Sequence, residues 1–145
     1  MRLLQTIGEF QGEYRFLSNF WRAPVTLDGE MYPTVEHAYQ AAKFEDRWRP
    51  IIKRAPTPGE AKRAARVNLS LVRRDWEEVK LEVMRKLLVQ KFSEPGLRSR
   101  LCATGNAVLV EGNTWDDVYW GVSMKTGIGR NMLGRLLMGI RAEVC

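Results

Sequence analysis

Within the run from Pro33 to Phe44, Glu36, Gln40 and Lys43 fall at i, i+4 and i+7, which on a helix is one face. A carboxylate, an amide and an amine on one stripe could shuttle a proton, hold a polar group and supply a cation or nucleophile. Ala38, Ala41 and Ala42 keep the neighbouring surface thin, so a ligand or another element can approach closely. The plainer reading is a solvated face, since charged helix faces are common. Spacing alone leaves both open.

A second cluster lies near the C-terminus. Gly127-Ile128-Gly129-Arg130-Asn131 stands just before the last helical pattern. Backbone N–H groups there could point at a phosphate or pyrophosphate, helped by the positive end of the helix dipole. No clear parallel-sheet strand precedes it, so a dinucleotide-binding fold does not follow. Upstream, Trp115-Asp116-Asp117-Val118-Tyr119-Trp120-Gly121 offers rings for stacking and carboxylates for hydrogen bonds, which suits a flat heterocycle. Trp120, and Trp76 further back, equally fit core positions.

Composition removes several alternatives. One histidine, His37, and two distant cysteines, Cys102 and Cys145, cannot build a conventional zinc site or a disulfide framework. No metal and no cofactor is expected. Cys102, at the end of an apparent helix, reads as a small buried hydrophobe; a Cys102–His37 nucleophile pair is only a formal possibility. His37 points about 100° round the helix from Glu36, so a structural hydrogen bond is expected of it. The chain of 145 residues reads as a single domain, 1–145, large enough for its own core. No apolar run approaches the roughly eighteen residues of a membrane span, and the N-terminus is too short and polar for a signal peptide. A soluble, cytoplasmic protein is expected. The net charge of +6 is concentrated between Arg47 and Arg74, with nine basic residues against Glu60 alone. Such a stretch could attract single-stranded nucleic acid or a phosphorylated ligand, or could simply be solvated.

The elements that must position these residues can be read in outline. Asp28-Gly29 between alternating residues signals a hairpin over residues 25–32. A helix should follow at once, with Pro33 in its first turn and Thr34 as its cap. Thr57-Pro58-Gly59-Glu60 resembles a capping box and opens a basic helix to about Val67. Asp75 would cap a longer helix to Phe92, burying Trp76, Val79, Val83 and Leu87. A short helix ends near Ala103, Val108–Val110 forms a short strand, and residues 115–130 a loop. The last helix runs from Asn131 to about Val144, burying Met132, Leu133, Leu136, Leu137 and Ile140. The fold class is α+β, helix-dominated, with a small sheet or hairpin.

Five blocks then come in a meaningful order: Phe16-Leu17-Ser18-Asn19-Phe20; Pro33-Thr34-Val35-Glu36-His37 with Gln40-Ala41-Ala42-Lys43-Phe44; Arg74-Asp75-Trp76-Glu77; Tyr119-Trp120-Gly121; and Gly129-Arg130-Asn131-Met132-Leu133-Gly134. Together they resemble the NADAR family of YbiA-like N-glycosidases. The resemblance implies cleavage of a bond between a ribose anomeric carbon and a base nitrogen. Two substrate classes go with the family: guanine carrying ADP-ribose on nucleic acid, and phosphorylated ribosylamino-pyrimidine intermediates of riboflavin synthesis. It also implies Glu36 as the essential carboxylate and Lys43 as the active-site amine. Trp76 and Trp120 match the pocket aromatics, and Asp117 the acid before the second of them. After Trp120-Gly121 the family continues with Asp and several glycines, whereas this chain has Val122-Ser123-Met124-Lys125-Thr126.

The expected site therefore comprises Glu36 and Lys43 for catalysis. Asn19, Phe20, Gln40, Trp76, Asp117, Trp120, Gly121, Gly127, Gly129 and Asn131 would bind substrate. Two other readings stay open: a silent module that binds ADP-ribose or a nucleotide, and a nucleic-acid-binding protein built on residues 47–74.

Overall fold

The computed structural model describes residues 4–145. Its regular elements, in order, are β1 (Thr6–Ile7), β2 (Arg22–Leu27), β3 (Glu30–Thr34), α1 (Val35–Ala41), α2 (Arg49–Lys53), α3 (Pro58–Arg66), α4 (Trp76–Lys91), α5 (Pro95–Ala103), β4 (Val108–Leu109), β5 (Gly112–Asn113), β6 (Val122–Ser123) and α6 (Met132–Val144). The expected helix-dominated α+β class holds. These elements form two compact units, residues 19–93 and residues 4–18 with 94–145.

In the first unit, β2 and β3 make the expected antiparallel hairpin, with Leu27 opposite Glu30 and Val25 opposite Tyr32. Asp28 and Gly29 both have positive φ, 49° and 84°, which a two-residue turn matching the strand twist requires. Pro33 belongs to β3 rather than to the helix, so Thr34 alone marks the boundary. Its extended backbone and its Oγ1, accepting from the His37 N–H at 3.0 Å, start α1. His37 is held at both ring nitrogens: Nδ1 lies 2.8 Å from Thr34 Oγ1 and Nε2 2.9 Å from the Ala55 carbonyl. A carbonyl only accepts, so Nε2 carries the proton, and the structural role expected for this residue follows.

Every residue of α1 is buried. Ala38 and Ala41 have no exposed surface, and the thin helix packs against α2, α3, α4 and both hairpin strands. Polar side chains on such a helix face protein, not solvent. Thr57 caps α3 through Glu60 N–H at 3.1 Å, with Pro58 at the start of the helix. Asp75 stands before α4 without capping it, because both its oxygens bind Arg73, at 2.6 and 2.9 Å. The buried stripe of α4 is Trp76, Met84, Leu87, Leu88 and Lys91; Val79 and Val83, expected inside, are half-buried. Lys91 is 1% exposed, and burial pulls its amine down to about 7. Gln90, beside it, turns outward from the stripe: its Oε1 accepts from Thr26 N–H at 2.8 Å and its Nε2 donates to Thr26 O at 2.8 Å.

In the second unit β1 pairs in parallel with β4, and β5 with β6. Glu94 caps α5, accepting from the N–H groups of Gly96 and Leu97 at 3.0 and 2.7 Å, which holds its carboxyl below the usual range. In α6, Leu133, Leu137 and Ile140 are buried as expected, with Gly134 and Arg141, while Met132 and Leu136 are half-buried. Arg141 reaches Thr104 Oγ1 and Ala107 O, both at 2.8 Å. Cys102 and Cys145 form a disulfide, with Cα atoms 5.7 Å apart. This corrects the expectation of two unlinked cysteines and removes any Cys102–His37 nucleophile pair. The separation of 43 residues gave no signal; α6 returns the chain end to the α5 terminus.

Candidate active site

On α1, Glu36 is 7% and Gln40 4% exposed. The Gln40 Nε2–H donates to Glu36 Oε1 at 2.8 Å, an i, i+4 brace between two buried side chains. Because Glu36 Oε1 accepts from the amide N–H, Gln40 Oε1 is turned away, and a proton carried by Glu36 sits on its other oxygen. That oxygen is buried and accepts no hydrogen bond from the described residues. Asn19 lies at the start of the same helix: its carbonyl accepts the Glu36 N–H at 3.1 Å, and its Nδ2 faces Met84 Sδ at 3.5 Å. Its Oδ1 is likewise buried without a protein donor. A buried acceptor left so costs about 1–3 kcal/mol, and retaining two on residues that bond Glu36 points to function.

Lys43 follows just beyond α1, where its carbonyl accepts the Arg73 N–H at 2.9 Å. The Nζ lies 5.5 Å from the Tyr39 ring centroid and 5.9 Å from that of Trp76. The two rings are 5.1 Å apart and tilted by 56°. Burial lowers the pKa of this amine, and Lys62 and Lys80 lower it further. The Glu36 and Glu77 carboxylates oppose the shift without cancelling it. A lowered amine beside aromatic faces can act as a nucleophile or proton carrier nearer neutral pH than a solvated lysine. Tyr39 was not among the expected residues; its signal was the i, i+4 spacing to Lys43. Asn19, Glu36, Gln40, Lys43 and Trp76 thus belong to one unit, with Phe20, 39% exposed, next to Asn19.

The remaining candidates belong to the other unit, where their polar groups serve its backbone. Asp117 Oδ1 accepts the N–H groups of Tyr119 and Trp120 at 3.2 and 2.9 Å. Asn113 clasps the same turn, accepting the Asp117 N–H at 3.0 Å and donating to its carbonyl at 2.9 Å. Trp120 is half-buried, edge-on to Tyr119 at 4.8 Å. A Cβ on Gly121 would come within 2.2 Å of the Glu111 carbonyl, and one on Gly129 within 2.2 Å of the Gly121 carbonyl. These glycines admit close backbone contact. Asn131 donates through Nδ2 to Leu109 O at 2.9 Å and accepts the Glu111 N–H at 3.0 Å.

Most of the N–H groups expected to form the anion cradle are engaged by backbone carbonyls. The N–H groups of Gly127, Arg130, Asn131, Met132 and Leu133 donate to the carbonyls of Ser123, Val118, Gly121, Tyr119 and Trp120. A helix N-terminus whose donors are already engaged has little left for a phosphate.

The basic stretch is partly neutralised. Arg49 pairs with Asp28 at 2.6 Å and Asp46 at 3.4 Å, Lys53 with Glu30 at 2.9 Å, Arg73 with Asp75 at 2.6 Å, and Arg47 with Glu45 at 3.3 Å. Those acids lie outside residues 47–74, so charge counted along the chain overstated the local field. A pocket of about 470 Å³ beside Tyr32, Arg49, Lys53 and Arg54 is lined by none of the candidate residues. Among the described residues no group of three or more His, Cys, Asp or Glu could hold a metal ion, and no helix is long and apolar enough to cross a membrane.

A buried carboxylate braced by an amide, with an aromatic-flanked amine two turns on, is an arrangement suited to acid–base work on a glycosidic bond. The NADAR domain matches residues 7–145, and the chain belongs to the NADAR family. It is similar to N-glycosidase YbiA of Escherichia coli, 42% identical over 134 residues, covering 91% of this chain and 82% of that one. An N-glycosidase of Nostoc punctiforme is 37% identical over 136 residues, 90% of this chain and 86% of that one. A riboflavin biosynthesis protein of Vibrio vulnificus is 39% identical over 131 residues, 89% of this chain but 35% of that one. The NMR structure of Escherichia coli YbiA superposes with a TM-score of 0.84 at 40% identity, over 99% of this chain and 87% of that one.

Proposed function

We propose that this N-glycosidase of the NADAR family cleaves the bond between a ribose anomeric carbon and an exocyclic base nitrogen, acting in the cytoplasm to remove ADP-ribose from guanine in nucleic acid. The observation that carries the reading is the buried Glu36, braced by Gln40 at 2.8 Å, in one unit with the lowered amine of Lys43. An exocyclic amine gives the substrate a route closed to ordinary nucleosides. The nitrogen lone pair forms a C=N bond to the anomeric carbon while the ring C–O bond breaks, and Glu36 gives its proton to the ring oxygen. Glu36 then takes a proton from water as it adds to the same carbon. The C–N bond then breaks as the new hydroxyl becomes a carbonyl: the base amine takes the electron pair and a proton from Glu36, Glu36 recovers the hydroxyl proton, and the sugar closes again. Positioned proton transfer of this kind contributes roughly 10²–10⁴-fold.

Lys43 has two roles open to it. Its neutral amine could attack the imine carbon, expel the base amine and hold the sugar as a Schiff base until water releases it. Its cation could instead hold a phosphate. Borohydride in the presence of substrate separates the two: a trapped sugar adduct supports the first, and undiminished turnover without an adduct the second.

The phosphorylated ribosylamino-pyrimidines of riboflavin synthesis are the second reading. It is favoured by the relative named for riboflavin biosynthesis and by the ion pairs that neutralise part of the basic stretch. A parallel turnover assay by mass spectrometry, on guanine-ADP-ribosylated single-stranded DNA and on those pyrimidines, tests both. Free ADP-ribose with restored guanine supports the first, turnover of the pyrimidines alone the second. Ligand binding without turnover of either leaves a silent module.

A further inference from the structure

Three buried side-chain acceptors in the α1 unit have no donor among the described residues, and two of them, on Asn19 and Gln40, belong to residues that bond Glu36. Asn19 Oδ1 belongs to the residue whose carbonyl receives the Glu36 N–H at 3.1 Å. Gln40 Oε1 is the far end of the amide whose nitrogen touches Glu36 Oε1 at 2.8 Å. Asn19 is 8% and Gln40 4% exposed, so solvent is largely excluded from both. With its Nε2–H donated to Glu36 Oε1, Gln40 has an oxygen, not an N–H, left for a ligand. A ligand that satisfies both acceptors must carry two hydrogen-bond donors, one of them for the amide that braces Glu36.

Resting on the glycosidase reading above, we infer that Gln40 and Asn19 read the sugar, accepting hydrogen bonds from the ribose 2′-hydroxyl and its neighbouring hydroxyl. They thereby exclude 2′-deoxyribosyl compounds. The carbon bearing the 2′-hydroxyl adjoins the anomeric carbon, and Gln40 Oε1 is one carboxamide width from the group bonded to Glu36. The Tyr39 and Trp76 rings beside Lys43 offer flat apolar surface, which suits a base better than a diol. Sites built to hydrogen-bond a hydroxyl reject the analogue lacking it strongly, because their buried acceptors are then left unpaired.

The test compares one base carrying, on its exocyclic amine, either ribosyl 5′-phosphate or 2′-deoxyribosyl 5′-phosphate. The wild type should favour the ribosyl compound by roughly 10²-fold or more in kcat/KM, and Gln40→Met and Asn19→Leu should each narrow that ratio to within about tenfold. Poor support of Glu36 alone would lower both substrates together and leave the ratio unmoved. Calorimetry with ribose 5-phosphate and 2-deoxyribose 5-phosphate gives a readout free of turnover: tighter binding of the first by wild type, and equal binding by Gln40→Met. A wild-type ratio near unity, or variants that keep the wild-type ratio, overturns the inference while leaving the glycosidase reading intact. Sugar discrimination in calorimetry without turnover of either compound supports the inference and overturns that reading. Equal binding of both sugars, or of neither, by the wild type counts against the inference.

Discussion

The α1 unit and the unit carrying α6 use polar side chains in opposite ways. Around Glu36, two buried carbonyl oxygens are left without a protein donor, and a lysine is held among rings with its pKa lowered. Around Asp117 and Asn131, polar side chains bind the unit's own backbone at 2.9–3.2 Å. Both regions looked equally chemical as sequence. Their hydrogen bonds separate a region that retains binding capacity from one whose named polar groups largely hold a loop in shape.

The largest effect should come from the pair of carboxylates. Glu36→Gln should lower kcat by about 10³-fold, the middle of the range for positioned proton transfer, with Tm close to wild type. Asp117→Asn keeps an Oδ1 acceptor for the two N–H groups it serves and should stay within about threefold of wild type. Equal losses for the two, measured under saturating substrate, would break the contrast and return Asp117 to the chemistry as a second acid.

Next in size is the disulfide. Closing 43 residues should stabilise the unit by about 4 kcal/mol on the loop-entropy estimate. Reduction, or Cys145→Ala, should therefore lower Tm and speed proteolysis of peptides from residues 94–145 before those from residues 19–93.

Lys91 sharpens the comparison from the first unit's side. Its amine titrates near 7 when folded and near 10.4 when unfolded. Between those values the unfolded chain holds the extra proton, so stability rises with pH. From pH 7 to 9.5 the gain is about 3 kcal/mol, at about 1.4 kcal/mol per unit. Denaturant melts should show that rise, and Lys91→Met should remove most of it.

The smallest effect expected is that of Asn131→Ala. Losing two hydrogen bonds to backbone should cost about 2 kcal/mol, with KM changed less than twofold. A large rise in KM with unchanged Tm would instead place Asn131 against the substrate.

Local rules made much of the fold legible. Asp28-Gly29, Thr34 and Thr57 each act within four residues of their own position, and each took its expected role in turn or cap. The stripe on α1 was legible as spacing, but its burial was not, because that depends on five other elements closing round an alanine-rich helix. The backbone contacts of Asp117 and Asn131 were not legible for a related reason. Asn131 reaches back 20 and 22 residues to Glu111 and Leu109, and a side chain's partner at that distance is set by topology. The disulfide and the ion pairs of Arg49 and Lys53 were hidden in the same way.

Gln90 has a consequence for the protein's behaviour in a crowded solution. A two-stranded hairpin has an outer edge of unpaired peptide groups, a template on which another chain can add a strand. By donating to and accepting from Thr26, the Gln90 carboxamide completes the hydrogen bonds that an incoming strand would make there. One side chain on a helix thus acts as a single residue of a missing third strand, and blocks the edge against self-association.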